Sequence, residues 1–357
     1  MSISRFLNST VNQHFVSRAE QRLNSCSPNP QSNKAEIYKY NIKSISPPSI
    51  SRNGKAAIWR NLSFHDLFTI SRTKDKKRVN IEILFGSYEA EFSTRAARLL
   101  SWIDKARCTP ESLSEKIDLH SVEGLNFSAA ISDIKFIYKY KILVGMRNPF
   151  QIKDTLTEFS SALDHSRDSA AALGLHMALE KKNESEEAVI LKEYGISRDE
   201  YRAWIRLLIL FFYSETDGNT ILDEFVDEFF KAKELFTNIV IGYFDENCAL
   251  LPDTGVVKDA FSDGTATYMN ISKHCVIAVK HTKINGQLFN KLFECHRLSE
   301  CSRNELINSL ASEIKGSLIL NDNELLSGYN QICVKAAANQ VFSASSNVVG
   351  VNVAEKD

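Results

Sequence analysis

A chain of 357 residues with 43 Lys+Arg against 44 Asp+Glu, formal net charge −1 and 43% hydrophobic residues is long enough for about two domains and for a core without disulfide or metal staples. That charge balance excludes binding to nucleic acid through the overall field and leaves only a local basic patch, while 21 Phe and 11 Tyr exclude wholesale disorder. The odd set of scattered cysteines (Cys26, Cys108, Cys248, Cys275, Cys295, Cys301, Cys333) reads as free thiols of a reducing compartment.

Met1 to Phe15 has no apolar signal-peptide core. Residues 24–53 are rich in Ser, Pro and Asn around one strand-like run, Lys34 to Lys43. Tyr38, Tyr40 and Ile42 alternate there as in a half-exposed edge strand. From Val79 the period changes: Ile81, Phe85, Tyr88, Phe92, Ala96, Leu99 and Ile103 recur at spacings of three and four, the stripe of a helix ending near Cys108. Phe127, Ile131, Ile134, Tyr138 and Ile142 write a second helix that stops at Asn148-Pro149. Its Lys135, Lys139 and Lys141 are incompatible with a membrane span.

Further helices are predicted over Ile152 to Leu163, Ala171 to Lys182 and Ser197 to Tyr213, the last opened by the capping pair Ser197 and Glu200. That helix holds the longest apolar run, Trp204 to Tyr213, roughly half the ~20 residues of a span and interrupted by Arg206. An acidic, aromatic helix, Ile221 to Phe236, follows. Asn238 to Phe244, Thr265 to Met269 and Cys275 to His281 then alternate as antiparallel strands, punctuated by Asp253-Thr254-Gly255 and Asp263-Gly264. Helical patterns return after Asn285-Gly286, a last helix is expected over Asn323 to Val341, and the small polar residues from Ser345 read as a frayed tail.

The fold expected is α+β: predominantly helical, with a small antiparallel sheet in the C-terminal third and a short strand-containing N-terminal module. It divides into a loop-rich module with an edge strand (1–78), a helical region (79–236), antiparallel strands with closing helices (237–345) and a flexible tail (346–357).

Several short motifs follow one another in a suggestive order. These are Asn12-Gln13-His14-Phe15-Val16-Ser17-Arg18, Phe64-His65-Asp66-Leu67-Phe68-Thr69, Glu82 and Glu89, Arg147-Asn148-Pro149, Pro252-Asp253-Thr254-Gly255-Val256, and Gly328-Tyr329-Asn330 with Ala336. Together they resemble a family of uncharacterised bacterial proteins that opens with a His-aromatic-Val-Pro-Arg type motif. Ser17 stands where that family has Pro, Asp253 lacks its Asn-Pro partners, and Asn270-Ile271-Ser272-Lys273 replaces a Pro-Leu-Ser-Pro stretch. The resemblance implies an architecture and candidate positions, and no chemistry.

Glu82 and Glu89 fall at about 100° and 80° around their helix, on the border of the apolar stripe, so they share one side. Such carboxylates hold a divalent metal or a water beside a histidine, or pair with Arg18, Arg78 or Arg147 at the core edge. His14 titrates near neutrality and sits beside Arg18, a suitable phosphate ligand. Its structural alternative is a histidine anchoring the N-terminal segment. His65 and Asp66 are expected to face opposite ways on a strand.

The gap between Cys295 and Cys301 does not match zinc-ligand spacing. Arg72, Lys74, Lys76, Lys77 and Arg78 form the densest basic run, a nucleic-acid contact or a solvated loop. No phosphate-binding Gly loop, serine-hydrolase elbow or His-Glu-x-x-His is present. Two functions are expected. The first is a bacterial cytoplasmic effector, a nuclease-like component of anti-phage defence, acting through His14, Arg18, Glu82, Glu89 and Arg147 with a divalent metal as potential cofactor. The second is a non-catalytic sensor, inhibitor or scaffold subunit that meets protein partners through the helix from Asp223 to Phe230. Neither involves a membrane.

Overall fold

The computed structural model describes residues 6–72, 78–108, 116–120, 126–165, 170–182, 184–214, 218–295, 299–311 and 314–354. It corrects the expected fold class. The architecture is α/β, 46% helical and 27% strand, with four sheets among the described residues, two of them mixed and multi-stranded.

The first large sheet has six strands in the order Val257–Phe261, Gly264–Ser272, Cys275–Lys283, Leu235–Tyr243, Lys315–Leu320 and Lys116–Asp118. Its first four strands are the antiparallel set read from alternation, one strand longer than expected. Lys315–Leu320 then pairs parallel to Leu235–Tyr243, which makes the sheet mixed. That strand was invisible in the sequence because six residues between two helical patterns carry no period of their own, and its partner is remote along the chain. A Cβ at Gly316 would overlap the Phe127 ring, so glycine lets the start of helix Phe127–Met146 rest directly on the sheet.

The second large sheet has five strands, Leu251–Pro252, Gln340–Ser343, Glu36–Ile45, Pro48–Ala57 and Asn352–Ala354. The run expected as an edge strand is its middle strand, and Tyr40 is fully buried. The alternation was genuine, but both hydrogen-bonding sides of the strand are paired, with Gln340–Ser343 and with Pro48–Ala57. Pro48 opens the next strand, the one strand position where a missing N–H is tolerated. Two further corrections concern the C-terminus. The last helix ends at Ala336, and Gln340–Ser343 is a strand. The supposedly frayed tail pairs parallel to Pro48–Ala57, with Val348 and Val351 buried; small polar residues concealed two apolar anchors.

The helices largely follow the apolar periods. Ile83–Arg107 buries Leu84, Phe85, Tyr88, Phe92, Ala96, Leu99 and Ile103, and begins later than predicted because Arg78–Asn80 is a strand. Arg198–Phe212 carries the reciprocal Ser197–Glu200 capping box. The acidic helix stops at Lys231, and Glu184–Tyr194 is an additional helix. One large core lies among the helices and the inner face of the six-stranded sheet. A second, smaller core is closed by Tyr40, Ile50, Phe244, Leu326, Tyr329 and Cys333, beneath helix Asn323–Ala336. Among the described residues no helix is long and apolar enough to cross a membrane.

Candidate functional site

Three segments that are distant in sequence build one cleft. Asn12–His14 pairs antiparallel with Ser63–His65, and the His14 side chain lies beside Ile58 and Trp59, just past the end of strand Pro48–Ala57. Ser17 then caps the short helix Arg18–Leu23, accepting the Glu20 N–H at 3.2 Å. Its hydroxyl also lies 2.6 Å from the Tyr140 hydroxyl, two contacts that proline could not make. From the opposite wall, Glu82 stands at the N-cap of helix Ile83–Arg107 and Glu89 two turns further on, on one side as their spacing predicts. His14, Arg18, Glu82 and Glu89 line this cleft of about 630 Å³ together with Thr10, Asn12, Ser17 and Trp59.

Arg147 does not line the cleft and reaches it only through its partner Glu89. It follows helix Phe127–Met146 as its C-cap and is completely buried, with Nη1 2.6 Å from Glu89 Oε1, Nε donating to the Phe15 carbonyl at 3.1 Å, and the guanidinium 5.2 Å from the Phe85 ring centroid. Its Nη2 has no hydrogen-bond partner among the described residues. Burying a charge demands pairing, and Glu89, itself 34% exposed, supplies it at the rim of the cleft.

The electrostatics separate the acid from the base. Burial, reinforced by the Glu89 charge and opposed by Arg147, pushes the Glu82 carboxyl from its ordinary 4.5 up to about 7. The Thr10 hydroxyl and the His14 backbone N–H hold the same carboxylate. His14 moves the other way: burial, then the Arg18 and Arg147 charges, bring it from 6.5 down to about 4, against a hydrogen bond to the Ile58 backbone. Its Nε2 is buried without a partner among the described residues. Near neutrality His14 is therefore an uncharged imidazole with a free ring nitrogen, and Glu82 keeps its proton in a large fraction of molecules. Two groups whose ionisation has been driven in opposite directions within one cleft are the usual mark of a paired base and acid.

A second polar cluster supports this wall from behind. Lys141 and Glu20 form an ion pair with no exposure on either side, Tyr140 donates to Glu20 at 3.2 Å, and Lys141 also reaches the Gly255 carbonyl at 3.1 Å. Gly255 has φ +75, and a Cβ there would overlap Val144, so the close approach requires glycine. Sequence reasoning missed this cluster. The available signal was Lys141, seven positions after Ile134 on an otherwise buried stripe, where a lysine needs an acidic partner from elsewhere. Trp59 offered no signal beyond its type; only its 48% exposure at the cleft marks it.

Several sequence expectations come out differently. The metal-holding role of Glu82 and Glu89 is unsupported by the donor set: among the described residues no three His, Cys, Asp or Glu side chains are grouped to hold an ion, and Glu89 is engaged by Arg147. His65 and Asp66 do not face apart. Asp66 has φ 56, which turns its carboxylate back to within 3.1 Å of His65 Nδ1. Asp66 also accepts from Thr69 Oγ1 at 2.9 Å and from Arg78 Nε at 2.6 Å, so it braces a loop and caps no helix.

Of the basic run, Arg72 ends strand Thr69–Arg72 and Arg78 opens strand Arg78–Asn80; Lys74, Lys76 and Lys77 lie outside the described residues. Strand Arg78–Asn80 leads directly into Glu82. The other family-like motifs hold the frame. Asn148 Nδ2 donates to the Asp253 carbonyl at 2.8 Å, Asp253 accepts the N–H groups of Ala338, Asn339 and Gln340 at 2.8 Å each, and Asn330 accepts the Leu250 N–H at 2.9 Å. No family model, curated protein or solved structure matches the chain.

Proposed function

We propose that the chain cleaves phosphodiester bonds of nucleic acid by general acid–base catalysis in this cleft, as a bacterial cytoplasmic effector with phage defence as its setting. The observation that carries the reading is the convergence of His14, Arg18, Glu82 and Glu89 in one open cleft, with the base and the acid driven apart in pKa. His14 takes the proton from the attacking oxygen, and Glu82 delivers its proton to the departing oxygen. Arg18, exposed at the cleft wall, pairs with the phosphate oxygens. Burial keeps the proton on Glu82, against the Arg147 charge and with the help of Glu89, which also neutralises Arg147.

The experiment is turnover of end-labelled single- and double-stranded oligonucleotides by wild type and by Glu82→Gln, His14→Ala and Arg18→Ala, all prepared identically. Loss of either proton-transfer group lowers the rate about 10²- to 10⁴-fold. Folded Glu82→Gln and His14→Ala proteins that retain full activity would refute the proposal.

One observation favours the non-catalytic reading. On helix Ile221–Lys231, Ile221 and Phe225 are each 40% exposed, and Phe225 stacks on Phe229 at 9°, an apolar face of the type that meets protein partners. Assembly with a co-encoded protein that disappears on Phe225→Ser, without any turnover of nucleic acid, supports that reading instead.

A further inference from the structure

Charge is distributed unevenly along the chain. Residues 18–60 carry eight Lys+Arg against Glu20 and Glu36 alone, in a protein whose formal net charge is −1, and Glu20 is already neutralised by Lys141 in the interior. Elsewhere arginines are held by acids: Arg78 by Asp66, Arg95 and Arg98 by Asp133, and Arg202 by Glu180. Arg18, Arg22, Arg52, Lys55 and Arg60 form no ion pair with a carboxylate among the described residues. Arg22 Nε is buried with no hydrogen-bond partner there, and burial, then the Arg18 charge, lower this guanidinium below its ordinary range. Like charges left together without counter-charges destabilise the compact state, so an excess of this kind points to an anion from outside.

Hydrogen bonds and ring contacts gather these cations onto one surface. Helix Arg18–Leu23 is tied to the turn after strand Pro48–Ala57 by Gln21, whose Nε2 donates to the Asn61 carbonyl at 3.1 Å and whose Oε1 accepts from Asn61 Nδ2 at 3.0 Å. Just past the helix, the Cys26 N–H donates at 3.0 Å to the carbonyl of Glu36, where strand Glu36–Ile45 begins, and the Cys26 thiol feels the Lys55 charge. Lys55 stands opposite Tyr38 in the strand pair. Its Nζ lies 5.0 Å from the Tyr38 ring centroid, and the Arg52 guanidinium lies 4.8 Å from the same point. In the turn the Arg60 guanidinium lies 5.6 Å from the Trp59 ring centroid, and Trp59 lines the cleft with Arg18. Arg18, Arg52, Lys55 and Arg60 are exposed. The rings hold the cations in place without neutralising them, which leaves the arginine N–H forks open to phosphate oxygens.

We infer that helix Arg18–Leu23, strand Pro48–Ala57 and the turn through Asn61 form a track for the phosphate backbone of a nucleic-acid strand, with Arg22, Arg52, Lys55 and Arg60 binding its phosphates outside the cleft and Arg18 at the entrance. This step rests on the reading of the cleft as a nucleic-acid phosphodiesterase and gives that reading its binding surface. The contacts are to phosphate alone, so binding is independent of base sequence and falls steeply with salt. A flexible strand fits where a flat anionic bilayer does not, because the track continues into a cleft walled by Glu82 and Glu89.

The test is fluorescence anisotropy of labelled single strands of two unrelated sequences, titrated with the full chain at several KCl concentrations. Five phosphate contacts give a slope of log affinity against log salt near −3.5 for wild type, at about 0.7 per contact. Arg52→Gln with Lys55→Gln makes the slope shallower by about 1.4 and weakens binding about 25-fold at ~0.1 M salt, equally for both sequences. Arg60→Gln, read separately on the turn, removes about 0.7 from the slope, so a fold defect in the strand variant does not decide the outcome. The control is Lys283→Gln with Lys291→Gln, which removes the same charge from exposed positions elsewhere and leaves slope and affinity unchanged. A wild-type slope in folded Arg52→Gln/Lys55→Gln and Arg60→Gln proteins, or an equal loss in the control, would overturn the track while turnover by wild type leaves the phosphodiesterase reading standing. The expected slopes without turnover of any strand keep the track and defeat that reading. A wild-type protein that binds neither strand overturns the track, whether or not it is captured by phosphatidylserine vesicles.

Discussion

Replacing Glu82 by Gln tests the physical basis of the site without any substrate. In the folded protein this carboxyl ionises at about 7 instead of 4.5, so the native state binds its proton more tightly than the unfolded chain does. The sign follows from linkage. Stability is complete below about 4.5, falls as pH rises toward 7, and is constant above it. The gap of about 2.5 pH units at ~1.4 kcal/mol each corresponds to ~3 kcal/mol lost by pH 8. Glutamine has the shape of the protonated acid, accepts from the Thr10 hydroxyl and the His14 N–H in the same way, and does not titrate. Glu82→Gln is therefore more stable than wild type by about 3 kcal/mol at pH 8 and indistinguishable from it at pH 4. Urea unfolding followed by tryptophan fluorescence across that range measures the difference. A variant that is less stable than wild type at pH 8, or whose advantage persists unchanged at pH 4, would refute the argument that burial holds the proton on Glu82. Stabilisation accompanied by loss of turnover is the signature of a residue kept for chemistry.

Activity should follow a bell in pH, rising as His14 loses its proton through about 4 and falling as Glu82 ionises through about 7; a rate still increasing above pH 8 contradicts the assignment of acid and base. Lys141→Met leaves Glu20 charged in a dry interior and costs about 3–5 kcal/mol, whereas Glu20→Gln with Lys141→Met recovers most of it. Thermal and urea unfolding of Lys141→Met, Glu20→Gln and the double variant expose this non-additivity, and additive effects would dissolve the buried pair. Truncation after Asn347 removes Val348, Val351 and the strand Asn352–Ala354, and lowers stability by about 3 kcal/mol or more from the two valines alone; an unchanged unfolding midpoint would show that the C-terminus is dispensable.

The sequence was most legible where a period runs unbroken. The stripe from Leu84 to Ile103 defined its helix, the pair Ser197 and Glu200 its start, and the alternation from Thr265 to His281 two neighbouring strands, because each pattern lies within one element and reports one buried face. The same reasoning placed Glu82 and Glu89 on one side of the cleft. It misjudged Asp66, since a left-handed backbone turns a side chain away from the pleat, and it missed Trp59, whose exposed ring writes no pattern.

What amino-acid order determined by itself was therefore local: helix faces, strand alternation, capping, and the identity of the titrating groups. The tertiary structure alone decided that Lys315–Leu320 would lie parallel to Leu235–Tyr243, that the C-terminal strand would join Pro48–Ala57, and that Arg147 would meet Glu89 and the Phe15 carbonyl. It also decided that burial would raise the Glu82 carboxyl above its ordinary range. Pairing between distant segments depends on complementary surfaces that no single window contains, and ionisation depends on how much water the assembled fold removes.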